Sequence, residues 1–260
     1  MKPRHNKSKP AKSGKIYIYG RHAVLAALAH APRAVRKVFL AREVRDPELR
    51  GLLTKNDIEP ALLAPGRGED LAGGGAVHQG VIAAIDPSKL VMALEEFLAS
   101  LPSTLPPSTA VAVLGEVQDP HNVGAIIRSA AAFGLSAVLI PEHRQAPVTG
   151  TVIKTSAGTA FQIPLVSIGN VNHALGVLKK RGFWIYGLAA EGSETLGSET
   201  FDAPAAFVVG NEGEGIRQKT LLACDVTLRI PMHSRTESLN AAVSAAVVFY
   251  EWSRKHPDAL

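Results

Sequence analysis

The chain has a single cysteine, Cys224, among its 260 residues. One thiol excludes an internal disulfide and a cysteine-built zinc site, and it suits a reducing cytosol. Its setting, Leu-Leu-Ala-Cys-Asp-Val, is apolar and reads as a buried position. No apolar run reaches the roughly 18 residues that a membrane-crossing helix needs. The first 20 residues also lack the apolar centre of a secretory signal. A cytoplasmic protein with no membrane partner is therefore expected. No His, Cys and carboxylate spacing suggests a metal site, so the expected metal ligands are none. Acidic residues are missing from positions 1–15, which hold six of the 28 lysines and arginines; the other 22 face 23 acidic residues. The net charge of +5 is thus the property of a tail. Residues 1–15 read as a disordered basic arm that gains order on a polyanion, with nucleic acid the expected one and a merely solubilising tail the alternative.

What is present is globular in character, with 46% hydrophobic and 20% charged residues, and long enough for one large or two modest domains. From Lys15 a compact alternation predicts strand (IYIYG), helix (RHAVLAALAHA), strand (VRKVFLA), helix (PELRGLLTKN) and two further strands (IEPALLA and QGVIAAI). Residues 87–107 read as a linker: a short amphipathic helix through Leu90, Val91, Leu94, Phe97 and Leu98, then Pro102, Pro106 and Pro107. Beyond it, six short apolar runs from AVAVLG to DVTLRI, separated by helical or glycine-bearing segments, predict a mostly parallel sheet covered on both faces. Ligands of such sheets gather at the carboxyl ends of the strands.

Three stretches stand out. In Ile230–Trp252 a strand end meets Pro231, crosses a polar loop and opens into a helix expected from Ser238, with Ser234 and Glu237 spaced as a capping box. Leu239, Ala242, Val243, Ala246, Val247 and Tyr250 form one stripe of that helix. Its first-turn N–H groups suit a polar ligand, although an ordinary capped helix would look the same. Phe207–Ile216 is a buried strand breaking into a glycine-rich turn that holds Glu212 and Glu214, and is weak evidence alone. Asn122–Gly134 reads as a helix with an Asn N-cap and a Gly stop. Val123, Ile126, Ile127 and Ala130 share one face of it, while Arg128 projects roughly 150° away and is free to enter a cleft.

Together and in this order, these stretches closely resemble the signature motifs of the SpoU (TrmH-type) branch of the SPOUT RNA 2′-O-ribose methyltransferases. The motifs are N-x-x-x-x-x-R at Asn122–Arg128, G-x-E-G-x-G at Gly210–Gly215, and I-P-M…E-S-L-N at Ile230–Asn240. Gly20-x-His22 and His78-Gln79-Gly80 resemble the N-terminal substrate-binding domain of the rRNA subgroup. The resemblance implies an α/β chain: an L30e-like RNA substrate-binding domain over 16–86, then a SPOUT methyltransferase domain over 108–260 with a deep C-terminal trefoil knot. It implies S-adenosylmethionine as co-substrate, no metal, and methylation of a ribose 2′-hydroxyl in rRNA, with a guanosine of large-subunit (23S) rRNA as the leading target. The same chemistry on an adenosine or on tRNA, or a non-catalytic ribosome-assembly factor, are the alternatives.

The implied catalytic set is Asn122, Arg128, Glu212, Ser238 and Asn240. Gly210, Ile230 and Leu239 would contact the methyl donor, and Arg21, His22, His78 and Arg128 the RNA. The two histidines could equally be ordinary turn or helix residues. A guanidinium stays protonated. Arg128 is therefore expected to clamp a phosphate or stabilise the developing alkoxide, leaving Glu212 or water to accept the proton. A homodimer through the knotted domain is implied, with RNA reaching across protomers. The sequence departs from the family pattern at Asn211 and at His233-Ser234-Arg235, while Lys154–Gly158 fits a further, weaker family stretch.

Overall fold

Short strands and helices alternate from the first described residue of the computed structural model, which describes residues 14–73 and 75–260. The basic arm expected over 1–15 lies, except for Gly14 and Lys15, outside the described residues, as does the middle of the Gly73–Gly75 loop. The first unit runs β1 (Ile16–Tyr19), α1 (Arg21–His30), β2 (Val35–Leu40), α2 (Pro47–Lys55), β3 (Ala61–Leu62), α3 (Arg67–Ala72) and β4 (Val81–Ile85). Its sheet has the order β1-β4-β2-β3, antiparallel except for β2 with β3. The strand expected over 58–64 shrinks to two residues. Pro60, just before it, has no N–H to give a ladder. The short helix α3 is absent from the sequence expectation.

The second unit comprises β5 (Val91–Ala93), α4 (Leu94–Ser100), β6 (Ala110–Gly115), α5 (Pro120–Ala132), β7 (Ala137–Pro141), α6 (Gly150–Thr155), β8 (Leu165–Ile168), α7 (Val171–Lys180), β9 (Trp184–Leu188), β10 (Glu194–Thr195), β11 (Ala205–Gly210), α8 (Gln218–Leu221), β12 (Val226–Arg229) and α9 (Ala241–Lys255). Its sheet has the order β10-β12-β9-β11-β6-β7-β8-β5, and every ladder in it is parallel. Residues 87–107 are therefore not a bare linker: β5 pairs with β8, and the helix expected from Leu90 begins only at Leu94. Val91 is β-branched and spends its backbone on the sheet edge.

Both faces of the central strands are buried, which explains their unbroken apolar runs. Along β11, Ala205, Phe207 and Val209 join the core under α5 and α9, while Ala206 and Val208 join the core under α4 and α7. Strand β6 divides the same way, with Ala110, Ala112 and Leu114 on one side and Val111 and Val113 on the other. Phe249 and Trp252 anchor α9 onto Phe207, with ring centroids 5.8 and 6.5 Å away. Cys224 is half-buried, donates to the Thr220 carbonyl at 3.3 Å, and burial pushes its thiol up to about 11. It stays protonated and unreactive. No helix among the described residues is long and apolar enough to cross a membrane.

Candidate functional site

The carboxyl ends of β6 and β11 meet at two glycines paired across the sheet, Gly115 and Gly210. The chain leaving Gly210 folds straight back: Asn211 and Gly215 exchange backbone hydrogen bonds of 3.1 and 3.2 Å. A Cβ on Gly210 would stand 2.7 Å from the Gly215 carbonyl oxygen, so only glycine admits this approach. The Asn211 side chain shapes the same turn, its Oδ1 accepting from the N–H groups of Gly213 and Glu214 at 2.9 and 2.7 Å. Arg217 closes it from behind through a 2.6 Å ion pair with Glu116.

This turn aims Glu212 at the start of α5. Its carboxylate accepts from the backbone N–H groups of Gln118 and Asp119, each at 3.2 Å, and from Asn122 Nδ2 at 2.8 Å. The Asn122 Oδ1 in turn accepts from Asn240 Nδ2 at 2.9 Å. Asn240 then caps α9, its Oδ1 accepting from Ala242 and Val243 N–H at 2.9 and 3.3 Å. One chain of amides thus ties residues from all three sequence motifs together. Burial alone would push the Glu212 carboxyl up, but the Asn122 amide and the backbone donors outweigh it and hold it below the ordinary glutamate range.

Two caps differ from the sequence expectation. Asp119, not Asn122, caps α5 by accepting from His121 N–H at 2.8 Å, with Pro120 at the first helical position. Asn122 is instead buried in the first turn with its side chain spent on Glu212 and Asn240. Asn240, not a Ser234/Glu237 box, caps α9, which starts at Ala241 rather than Ser238. Ser238 lies in the loop just before it.

A cavity of about 550 Å³ opens beside this network. It is bounded by the turn after Gly210 and by Ile230, Ser238, Leu239 and Asn240, with Leu188 and Leu228 supplying apolar wall. Gly210, Ile230, Leu239, Glu212, Ser238 and Asn240 therefore surround one space. Arg128 does not join them. It is exposed on α5, makes no hydrogen bond or ion pair among the described residues, and lines neither this cavity nor the groove described next.

That groove, of about 660 Å³, runs between α5 and α9. Its polar end carries His121, Asn122, Thr155 and Asn240; its other end is lined by Val243, Ala246, Val247 and Tyr250. The apolar stripe seen in the sequence of α9 is thus largely its outward face, with Val243, Val247 and Tyr250 exposed by 49%, 36% and 54%. The core takes Ala242, Ala245, Val248, Phe249 and Trp252 instead. Small residues flank both faces of this helix, so periodicity alone left its orientation open. His121, absent from the sequence-derived set, sits at the polar end with its Nδ1 3.4 Å from Thr155 Oγ1. The signal for it was adjacency to Asn122.

In the first unit the two flagged stretches come together: Gly20 N–H donates to the Val81 carbonyl at 3.0 Å and Arg21 N–H to Gln79 Oε1 at 3.3 Å. Arg21 is held by ion pairs to Asp46 at 2.6 Å and Glu48 at 2.8 Å. His78 turns its Nδ1 to Gly80 N–H at 3.0 Å and lays its ring against Gly68. His22 is exposed.

Residues 109–250 match the SpoU rRNA Methylase family, and residues 17–91 match the RNA 2′-O ribose methyltransferase substrate-binding family. Over 242 residues the chain is 36% identical to the 23S rRNA (guanosine-2′-O-)-methyltransferase RlmB of Nitrosomonas europaea, with 92% of each chain covered. It is 35% identical to the Escherichia coli protein of that name, covering 92% of this chain and 98% of that one. Its fold is similar to the crystal structure of the SpoU methyltransferase AviRb from Streptomyces viridochromogenes in complex with AdoMet, with a TM-score of 0.75 and 25% identity over 94% of this chain and 92% of that chain.

Proposed function

The chain belongs to the SpoU rRNA methylase family and is an S-adenosylmethionine-dependent RNA 2′-O-ribose methyltransferase, and we propose that its target is a guanosine of 23S rRNA in the cytoplasm. The observation that carries the reading is the hydrogen-bonded chain from Glu212 through Asn122 to Asn240 at the mouth of a cavity.

The cavity suits the methyl donor. Its volume is within the range of small-molecule sites, its walls combine apolar side chains with polar groups, and backbone groups line the turn where Gly210 leaves no room for a side chain. Ile230, Leu188 and Leu228 would take the adenine, and the backbone at Gly210 and Leu239 its polar edges. When bound, the donor supplies an activated methyl on a sulfonium. The protein's task is therefore alignment, which is worth roughly 7–11 kcal/mol of a barrier. Glu212 stays ionised and spends its oxygens on Asn122 and the start of α5, so it orients the site. Asn122 and Asn240 fix the two loops against each other and leave Ser238 at the rim for the incoming ribose.

The outward stripe of α9, continuous with the α5 groove, supports a homodimer in which a second copy covers Val243, Val247 and Tyr250. The polar end of the groove then stays open beside the donor cavity. Arg128, which lines neither space in its own chain, acts across this pair: it holds the phosphate next to the target ribose and stabilises the developing alkoxide. Within the first unit, His22 is the RNA contact best placed, being exposed, whereas Arg21 and His78 shape the surface from beneath.

Mapping 2′-O-methyl sites on 23S rRNA from cells with and without this chain tests the reading. One guanosine should lose its methyl in the deletion strain and regain it on complementation. An unchanged map would refute it.

A further inference from the structure

Removing the ribose proton needs an acceptor, and the residues already assigned supply none. The Arg128 guanidinium stays protonated. Glu212 is occupied by three N–H donors that make it a weaker base than a free carboxylate. Asn122, Asn240 and Ser238 have no basic atom. Among the described residues that line the groove beside the donor cavity, one imidazole remains. His121 immediately precedes Asn122, is exposed, and lines the polar end of the groove together with Asn122 and Asn240.

Its geometry suits the task. The backbone N–H is fixed on Asp119, and Nδ1 faces the Thr155 hydroxyl at 3.4 Å. A hydroxyl donating to Nδ1 would leave Nε2 carrying its hydrogen; the Thr155 oxygen accepting from Nδ1–H instead leaves Nε2 with a free lone pair on a residue that lines the groove. The charged and titratable groups around it are few. Asp119 caps its own helix, Lys154 on α6 is turned to the Tyr19 hydroxyl at 3.1 Å, Glu212 lies behind Asn122, and Tyr250 borders the far end of the groove.

We propose that His121 Nε2 takes the proton from the ribose 2′-hydroxyl, an inference that rests on the methyl-transfer function above. The O2′–H bond breaks with its proton passing to Nε2, while O2′ forms its bond to the methyl carbon. The sulfur–methyl bond breaks and its electron pair returns to sulfur. The imidazolium then loses its proton to water.

The test is single-turnover methyl transfer to an unmodified 23S rRNA transcript, followed against pH in wild-type protein, His121→Gln and His121→Asn. Wild-type rate should rise with pH and then level off. Both variants should lose about 10²-fold or more at pH 7 and lose that inflexion, with donor-product binding by calorimetry and circular dichroism unchanged. A second readout is the His121 imidazole resonance, identified by its absence in His121→Gln. It should shift when S-adenosylhomocysteine and an rRNA hairpin with a 2′-hydroxyl at the target are added, and less so with the 2′-O-methylated hairpin. A variant within threefold of wild type, a slower variant that keeps the inflexion, or a resonance indifferent to the hairpin would each overturn the proposal. A wild-type protein that transfers no methyl to transcript or to large subunits from deletion cells would instead sink the parent reading.

Discussion

Asn240 donates its side-chain amide to Asn122, 118 residues earlier in the chain, at 2.9 Å, and Asn122 passes its own amide to Glu212 at 2.8 Å. The side-chain oxygen and nitrogen of both asparagines are each engaged in hydrogen bonds. Asn122→Asp would replace a donor to Glu212 with a second carboxylate facing it. The expected cost is about 1–3 kcal/mol of stability from the lost bond and unpaired groups, measured by urea unfolding. Methyl transfer should fall by about 10²-fold, because both loops around the cavity lose their tie. Wild-type rates in this variant would remove the network from the mechanism.

Gly210→Ala tests the cavity itself. The added methyl would press into the backbone of Gly215 and Ile216. Backbone cannot swing aside as a side chain can, so the turn must open at a cost of about 1–3 kcal/mol. Affinity for S-adenosylmethionine, read by calorimetry, should weaken by at least about tenfold for each 1.4 kcal/mol that the displaced turn withholds.

Acid offers a separate handle on Glu212. Its folded value lies below the ordinary one, so its contribution is fully present above about pH 4.5 and is lost as pH falls from there through the lower folded value. Because the group is largely exposed, the contribution is about 1 kcal/mol at neutral pH. The stability gap between wild type and Glu212→Gln, followed by thermal melts, should therefore be constant from pH 7 to 5 and close below pH 4.5. A gap that persists at pH 3 would show that the carboxylate's charge is not what matters.

Sedimentation can settle the pairing surface. Val247→Glu places a charge on the outward stripe of α9 without touching Phe249 or Trp252, which face the core. The protein should sediment as a folded monomer where wild type sediments as a dimer, since a lone charge is poorly tolerated in a dry contact. Unchanged association would move the interface elsewhere.

Mixed pairs locate Arg128. Arg128→Ala and Asn240→Ala chains should each be inactive alone. Refolded or co-expressed together, they should recover about a quarter of wild-type turnover, because half the dimers then carry one site with both groups intact across a two-fold axis. No recovery would return Arg128 to its own chain's site.

Much of this architecture was written locally. The short apolar runs located six of the eight strands of the large sheet, and the family motifs located Asn122, Glu212 and Asn240, which the fold brings to one place. Three kinds of feature were not. Val91–Ala93 looked helical because three apolar residues fit either period, and only the distant β8 decides between them. The outward face of α9 stayed open because alanines flank both sides, so burial depends on what else packs there. A knot, which only the family resemblance implied, would belong to the path of the whole chain and has no local signature. His121 was passed over for a related reason: its meaning lies in the groove that α9 closes, 120 residues downstream.

The contact between the two units has a consequence of its own. Lys154, on α6, reaches across to the Tyr19 ring and hydroxyl, and the α6 turn presses Gly150 toward the Tyr17 carbonyl and Gly158 toward Ala26. On its other side, Thr155 packs against Gly124 of α5 and meets His121. The first unit and the groove between α5 and α9 are thereby joined through α6 at a set span. An RNA held by the first unit would therefore meet that groove at a fixed distance, and a change in the jaw at Tyr19 and Lys154 is expected to move the methylated position rather than abolish transfer.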